Sequence, residues 1–157
     1  MNIFVLDLNL RTCAQYHNDR HVVKMITEYA QMLSTAVRYT GVDAGYKATH
    51  QNHPCNIWVR ESLYNWNWLK SLAGELHEEW RYRYSHSAEK IHKAYQVILS
   101  LPEPVLPCIG ITPFAQAMPD QYRNENPVDA YRAYYQGEKQ HIANWKNRET
   151  PDWHVPI

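Results

Sequence analysis

The chain of 157 residues has no surplus of either charge, with 16 Lys and Arg facing 16 Asp and Glu. Proteins that grip long nucleic acids through phosphate contacts alone are normally basic, so tight sequence-independent DNA binding is not the default expectation. Glycine occurs only 5 times, too rarely for a glycine-rich phosphate loop or a barrel punctuated by glycine turns. The cysteines Cys13, Cys55 and Cys108 are odd in number, widely spaced and form no Cys-x-x-Cys. Free thiols in a reducing compartment are expected, and a zinc ribbon or knuckle is excluded. No apolar run approaches the roughly 18 residues needed to span a bilayer, so no membrane partner is expected. The opening Met1–Asp7 stretch lacks a basic region and a small-residue cleavage site and does not read as a signal peptide.

The residues in excess are histidine and the polar-tipped aromatics. Nine histidines would charge near pH 6.5 and make the protein cationic in mild acid. Six Trp and 12 Tyr against 2 Phe favour half-buried surfaces and stacking sites.

The periodicity predicts a mainly α chain, one domain over residues 1–157, built as a bundle of about four helices with a short N-terminal extended segment and a proline-rich strap. Residues 2–10 read as a strand or extended segment. One helix runs from Thr12 to about Tyr39, before Gly41 and Gly45, and a second from Pro54 to about Tyr84. Ser85 or Ser87 caps a third that ends near Leu99, and a fourth runs from Pro127 to about Lys146. Between the last two, Pro102, Pro104, Pro107, Pro113 and Pro119 forbid a regular element.

The first long helix carries His17, His21, Lys24 and Glu28 on one face and Val22, Met25, Ile26, Tyr29, Leu33 and Val37 on the other. Such a polar face can simply be solvated. It can also be a site: a lysine among cations is a potential nucleophile, and a glutamate one turn away can act as acid or base. His17 and His21 have the spacing that puts two imidazoles on one metal, with His50 and His53 nearby, but the glutamate of a metalloprotease helix is missing, and we assign neither metal nor cofactor. The loop from Thr49 to Pro54 places His50, Asn52 and His53 at a helix start suited to phosphate or to plain capping. Trp58, Glu61 and Asn65 share a face that would stack on and hydrogen-bond a base, although a helical tryptophan more often packs in the core.

Two resemblances emerge. The run His17-x-x-x-His21-Val22-Val23-Lys24-Met25-x-x-Glu28-x-x-Gln31, with Asn52-His53-Pro54, Ala117-Met118-Pro119-Asp120 and Tyr131-Arg132, resembles a group of small phage-encoded helical proteins mostly without assigned function. That resemblance implies a bacterial host cytoplasm. The order of a late helical Glu28, Gly45-Tyr46-Lys47, His53-Pro54 and a second long helix is similar to the pyrimidine-dimer DNA glycosylases. That similarity implies a small all-α glycosylase/lyase in which Glu28 is the essential glutamate and the N-terminal amine forms an imine with the sugar. The chain departs from the family in its neutral charge and in Asn2, a poor second residue for removal of Met1. Lys24 is then a substitute amine.

The leading expectation is therefore a base-excision enzyme acting on damaged or modified pyrimidine DNA, with Glu28, Lys24 and His21 as the catalytic set. His17, His50, Asn52, His53, Trp58 and Glu61 would hold the substrate. The alternative is a small-nucleotide binder or hydrolase that counters host defence signalling, because zero net charge suits a compact anion. A third reading is a non-catalytic protein that docks a host enzyme. The sequence does not define an oligomeric state.

Overall fold

The longest apolar stripe builds the centre of the molecule. In the computed structural model, which describes residues 1–157, helix α2 (Asp19–Tyr39) starts where the Asn18 side chain accepts the His21 N–H, with Asp19 and Arg38 placed to complement the helix dipole. Its inner face, Val22, Met25, Ile26, Tyr29, Leu33 and Val37, is fully buried. Helices α3 (Pro54–Glu61), α4 (Leu63–Arg83) and α5 (Lys93–Ser100) pack around it, and α1 (Leu10–Tyr16) lies on α4. Helix α6 (Pro127–Glu138) follows the proline-rich stretch, and two short 3-10 turns, Asp120–Tyr122 and Gln140–Ile142, flank it. No strand is present, and no helix is long and apolar enough to cross a membrane.

There are six α-helices where about four were expected. Both long periodic segments are broken by polar caps. The first breaks at His17 and Asn18, where the end of α1 exposes carbonyls that the fully buried Arg83 satisfies: its guanidinium donates to the carbonyls of Gln15 (2.7 Å) and His17 (2.7 Å). Glu79, at 2.8 Å, neutralises Arg83 and also receives Arg148. The second breaks at Ser62, whose hydroxyl accepts the Tyr64 N–H and caps α4. The third predicted helix begins at Lys93, capped by His92 and not by a serine. The last ends at Glu138, eight residues before the expected Lys146.

The segment Asn2–Leu6 is buried and irregular, with no partner strand and one local bond from the Leu6 N–H to the Phe4 carbonyl at 3.1 Å. Side chains replace the missing ladder. Ile3 N–H donates to Asn2 Oδ1, Phe4 N–H to the Tyr29 hydroxyl, and Arg132 reaches the Leu6 carbonyl at 2.9 Å. The proline-rich strap is irregular, as its composition requires. Asn65 holds Thr112 through both a donor and an acceptor contact, and the Trp58 indole donates to the Thr112 carbonyl.

Candidate active site

The N-terminal segment runs outward past α2 and ends against its polar face. The Met1 amine lies 3.4 Å from Glu28 Oε1, and Lys24 Nζ lies 3.6 Å from Glu28 Oε2. One carboxylate thus sits between two amines. They differ in setting: the Met1 side chain is 6% exposed and that of Lys24 70%. Met1 is held, and Lys24 is a solvent-exposed surface group. Neither cation donates a close hydrogen bond to Oε2, which is buried and has no hydrogen-bond partner within the protein.

Asn2 fixes the amine in place. Its Nδ2 donates to the Ala117 carbonyl at 2.8 Å, and its Oδ1 accepts from Ile3 N–H and from Tyr131, whose hydroxyl lies between Asn2 (2.8 Å) and the Ala115 carbonyl (2.7 Å). Asn56, buried on α3, donates to the carbonyls of Thr49 (3.1 Å) and His50 (2.8 Å) and touches the Met1 sulfur at 3.0 Å. It ties the histidine loop to the same terminus. His50 itself takes a left-handed backbone, φ 48°.

Two clefts meet at this point, sharing Met1, Lys24 and Glu28. One, of about 230 Å³, is walled by Phe4, His21, Tyr134 and Lys139. The other, of about 440 Å³, is walled by Val23, Thr27, Gln31, His50 and His92. His53 stands beside them as the cap of α3, accepting the Cys55 N–H; partial burial, with the nearby Met1 ammonium second, lowers its pKa. At the junction the amines of Met1, Lys24 and Lys139 outnumber the single carboxylate, so a neutral protein presents a locally cationic cleft.

Residues 1–92 match the pyrimidine dimer DNA glycosylase family. The chain belongs to this family. The match covers Met1, His21, Lys24, Glu28, His50 and His53, so the carboxylate–amine junction lies wholly inside the family's part of the chain. Residues Ala117, Tyr134 and Lys139, which close the smaller cleft, lie beyond it. No curated protein and no solved structure matches the chain.

Of the side chains expected at the site of this glycosylase-family protein, His21, Lys24, Glu28 and His50 meet around the shared clefts, with His53 adjoining. His17 does not. The helix break removes it from α2, and it is 0% exposed, with Nδ1 on the Cys13 carbonyl (2.7 Å) and Nε2 on the Tyr29 hydroxyl (2.9 Å). Trp58 is also 1% exposed and stacked on Phe114, with its indole N–H used by the strap, so it is unable to stack on a base. Asn65 is likewise spent on the strap. Asn52 and Glu61 are exposed and line neither cleft. No three His, Cys, Asp or Glu side chains gather closely enough to hold a metal ion.

The expectation that mild acid charges the histidines is corrected for six of them. Burial, reinforced by Arg83, pushes His17 down to about 4 despite the Cys13 carbonyl. Burial, followed by the charges of His17, Lys139 and Lys24, pushes His21 to about 2. His53, His77, His92 and His154 are lowered as well, each first by burial. In the smaller cleft the cations are the amines of Met1, Lys24 and Lys139, with His21 held neutral.

Asn56, His92, Tyr134, Tyr135 and Lys139 were not marked as site residues. His92 had one usable signal, since a histidine can cap a helix as His53 does. The others act through contacts between segments far apart in the chain, and no local pattern shows them.

Proposed function

We propose that this protein excises damaged pyrimidine bases from DNA and cleaves the strand at the same site, with the Met1 amine as nucleophile and Glu28 as its proton acceptor and charge partner. The observation that carries the reading is the Met1 amine held 3.4 Å from Glu28 in a chain of the glycosylase family. As a class, α-amines hold more free base at neutral pH than lysine side chains do. The amine at the carboxylate is also the sheltered one of the pair.

The chemistry follows from that contact. Glu28 takes a proton from the ammonium, and the amine lone pair attacks C1′ of the damaged nucleotide. The N–C1′ bond forms as the C1′–base bond breaks, and the base leaves with the bonding pair and takes up the proton held by Glu28, which becomes a carboxylate again. The C1′–O4′ bond then opens as one proton of the attached nitrogen passes to O4′, and a protonated imine joins Met1 to the sugar. Loss of a C2′ proton expels the 3′ phosphate and breaks the strand. The Glu28 carboxylate stabilises the positive charge on the amine and imine nitrogen. The cationic rim from Lys24 and Lys139 suits the sugar–phosphate, and the paired clefts give separate room to the sugar and to a displaced nucleotide.

The test is borohydride trapping on ultraviolet-damaged and abasic duplexes, followed by peptide mapping. A covalent adduct on the Met1 peptide together with strand cleavage is expected. No adduct and no cleavage on either duplex would overturn the reading, and thermal stabilisation by mononucleotides alone would replace it with the small-nucleotide alternative.

A further inference from the structure

The imidazole of His21 is oriented by α6 as well as by its own helix. Its Nδ1 lies 2.5 Å from the Tyr135 hydroxyl. The Asn18 N–H points at the same hydroxyl oxygen at 3.4 Å, and Asn18 Oδ1 accepts the His21 backbone N–H at 2.9 Å. The three residues close a ring of hydrogen bonds. Tyr135 is buried, its oxygen accepts the Asn18 N–H, and its hydroxyl proton has no acceptor other than His21 Nδ1, so the phenol donates and Nδ1 accepts. The ring proton is then on Nε2. The Phe4 ring, stacked on the imidazole at 4.3 Å and 19°, prevents it from turning over. His21 meanwhile walls the smaller cleft beside Met1, Lys24, Glu28, Tyr134 and Lys139.

We propose that Tyr135 is a positioning residue that locks His21 as the Nε2–H tautomer, so that His21 offers a hydrogen-bond donor to a sugar or phosphate oxygen lodged against the Met1 amine and Glu28. The role in turnover rests on the function proposed above; the lock itself does not. His21 is a donor and not a base, since burial first, and then neighbouring His17, Lys139 and Lys24, oppose its protonation. A neutral imidazole with a fixed tautomer donates without first having to lose or gain a proton. Tyr135 lies outside the matched residues 1–92, so the lock is a feature of this chain's C-terminal third.

Two-bond proton–nitrogen correlation spectra of ¹⁵N-histidine-labelled protein read the tautomer directly. The expected spectrum shows His21 with Nε2 protonated and Nδ1 bare from pH 8 to 5.5. In Tyr135→Phe that signature should give way to a mixed or reversed tautomer, with a roughly tenfold fall in kcat and KM within about twofold. His21→Gln, which keeps an amide donor, should retain more activity than His21→Ala. A bare Nε2 or an imidazolium in the wild-type protein would overturn the lock, as would an unaltered Nε2–H signature in Tyr135→Phe. A Tyr135→Phe protein with the altered tautomer but the wild-type rate would overturn its role in turnover. If the wild-type protein forms no trapped adduct, the proposed function fails while the spectra still decide the lock.

Discussion

The first 92 residues and the last 65 do different work. The groups proposed to react and the imidazole proposed to donate, Met1, Glu28 and His21, come from the part that matches the glycosylase family, while the cationic rim draws Lys24 from that part and Lys139 from beyond it. The last part contributes the parts that hold them: the Ala117 carbonyl and Tyr131 on Asn2, Arg132 on Leu6 and Asp7, and Tyr135 on His21. The N-terminal segment needs this help because it is a buried irregular run without a sheet. The Leu6 carbonyl would lack its Arg132 donor without α6, and the Asn2 side chain would lose its acceptor on the strap and its Tyr131 partner on α6. The difference teaches that the reacting atoms and their geometry are encoded in separate stretches of the chain, and that the two can be broken independently.

The sharpest break is Glu28→Gln. It removes the carboxylate from the amine junction but leaves the fold's contacts intact. Trapped adduct and strand cleavage should fall by at least ~1,000-fold, about 4 kcal/mol of transition-state stabilisation, while the melting temperature stays within a few degrees. Single-turnover trapping with parallel thermal melts checks both. A large loss of stability would show that the first region is also structural at this position.

Acid should separate the two regions next. The unfolded chain protonates its histidines near pH 6.5, whereas folded His17 does so only near 4 and His21 near 2. Between those values the unfolded state binds more protons, so stability is full above about pH 6.5 and falls as the pH drops toward 4. Fully buried His17 alone corresponds to roughly 3 kcal/mol lost by pH 4, at about 1.4 kcal/mol per pH unit. Chemical denaturation between pH 7.5 and 4 should show a slope of one to two protons below pH 6. A flat profile would mean that neither imidazole is buried in its neutral form.

Tyr131→Phe is expected to be milder. The lost hydroxyl takes away the one proton that Asn2 Oδ1 and the Ala115 carbonyl share, leaving Asn2 Oδ1 with only the Ile3 N–H and the carbonyl without its side-chain donor, a cost of about 1–2 kcal/mol. The slackened Asn2 should let the Met1 amine wander from Glu28, with a five- to tenfold lower trapping rate. A rate unchanged at reduced stability would confine the last region to a purely architectural role.

These contrasts also explain what could be read from the sequence. The stripe on α2 was legible because apolar residues recur at helical spacing, and Lys24 and Glu28 fall together once any helix forms there. The break at His17 was hidden because neither glycine nor proline marks it. Asn18 was its only local sign, and the groups that stabilise it, Arg83 and Glu79, lie more than sixty residues away. The same break turned His17 from an apparent site residue into a core one. Trp58 shows the reverse ambiguity: its spacing suits a stacking platform, and only the distant Phe114 and Thr112 decide that it packs. The clamp from α6 was illegible in principle, because tyrosine hydroxyls at Tyr131 and Tyr135 look like an ordinary packing seam until Asn2 and His21 are placed against them.

The smallest effect belongs to Lys24→Ala, and it is the most informative about which amine reacts. Lys24 precedes Glu28 by one turn, the weaker order for a helical ion pair, and its side chain is 70% exposed. Solvent screens such a pair, so its removal should change stability by less than ~0.5 kcal/mol. Met1 keeps its own contact with Glu28 in the variant, so the adduct should persist at no less than about a third of the wild-type rate and still map to the Met1 peptide. The modest loss that remains reflects one cation fewer on the rim, and it should shrink in added salt because phosphate attraction is screened there. An adduct that vanishes with Lys24 would move the nucleophile from the clamped terminus to the open face of α2. The clamp supplied by the last 65 residues would then hold a bystander, since a side chain anchored on its own helix needs nothing from the strap or α6 to reach Glu28.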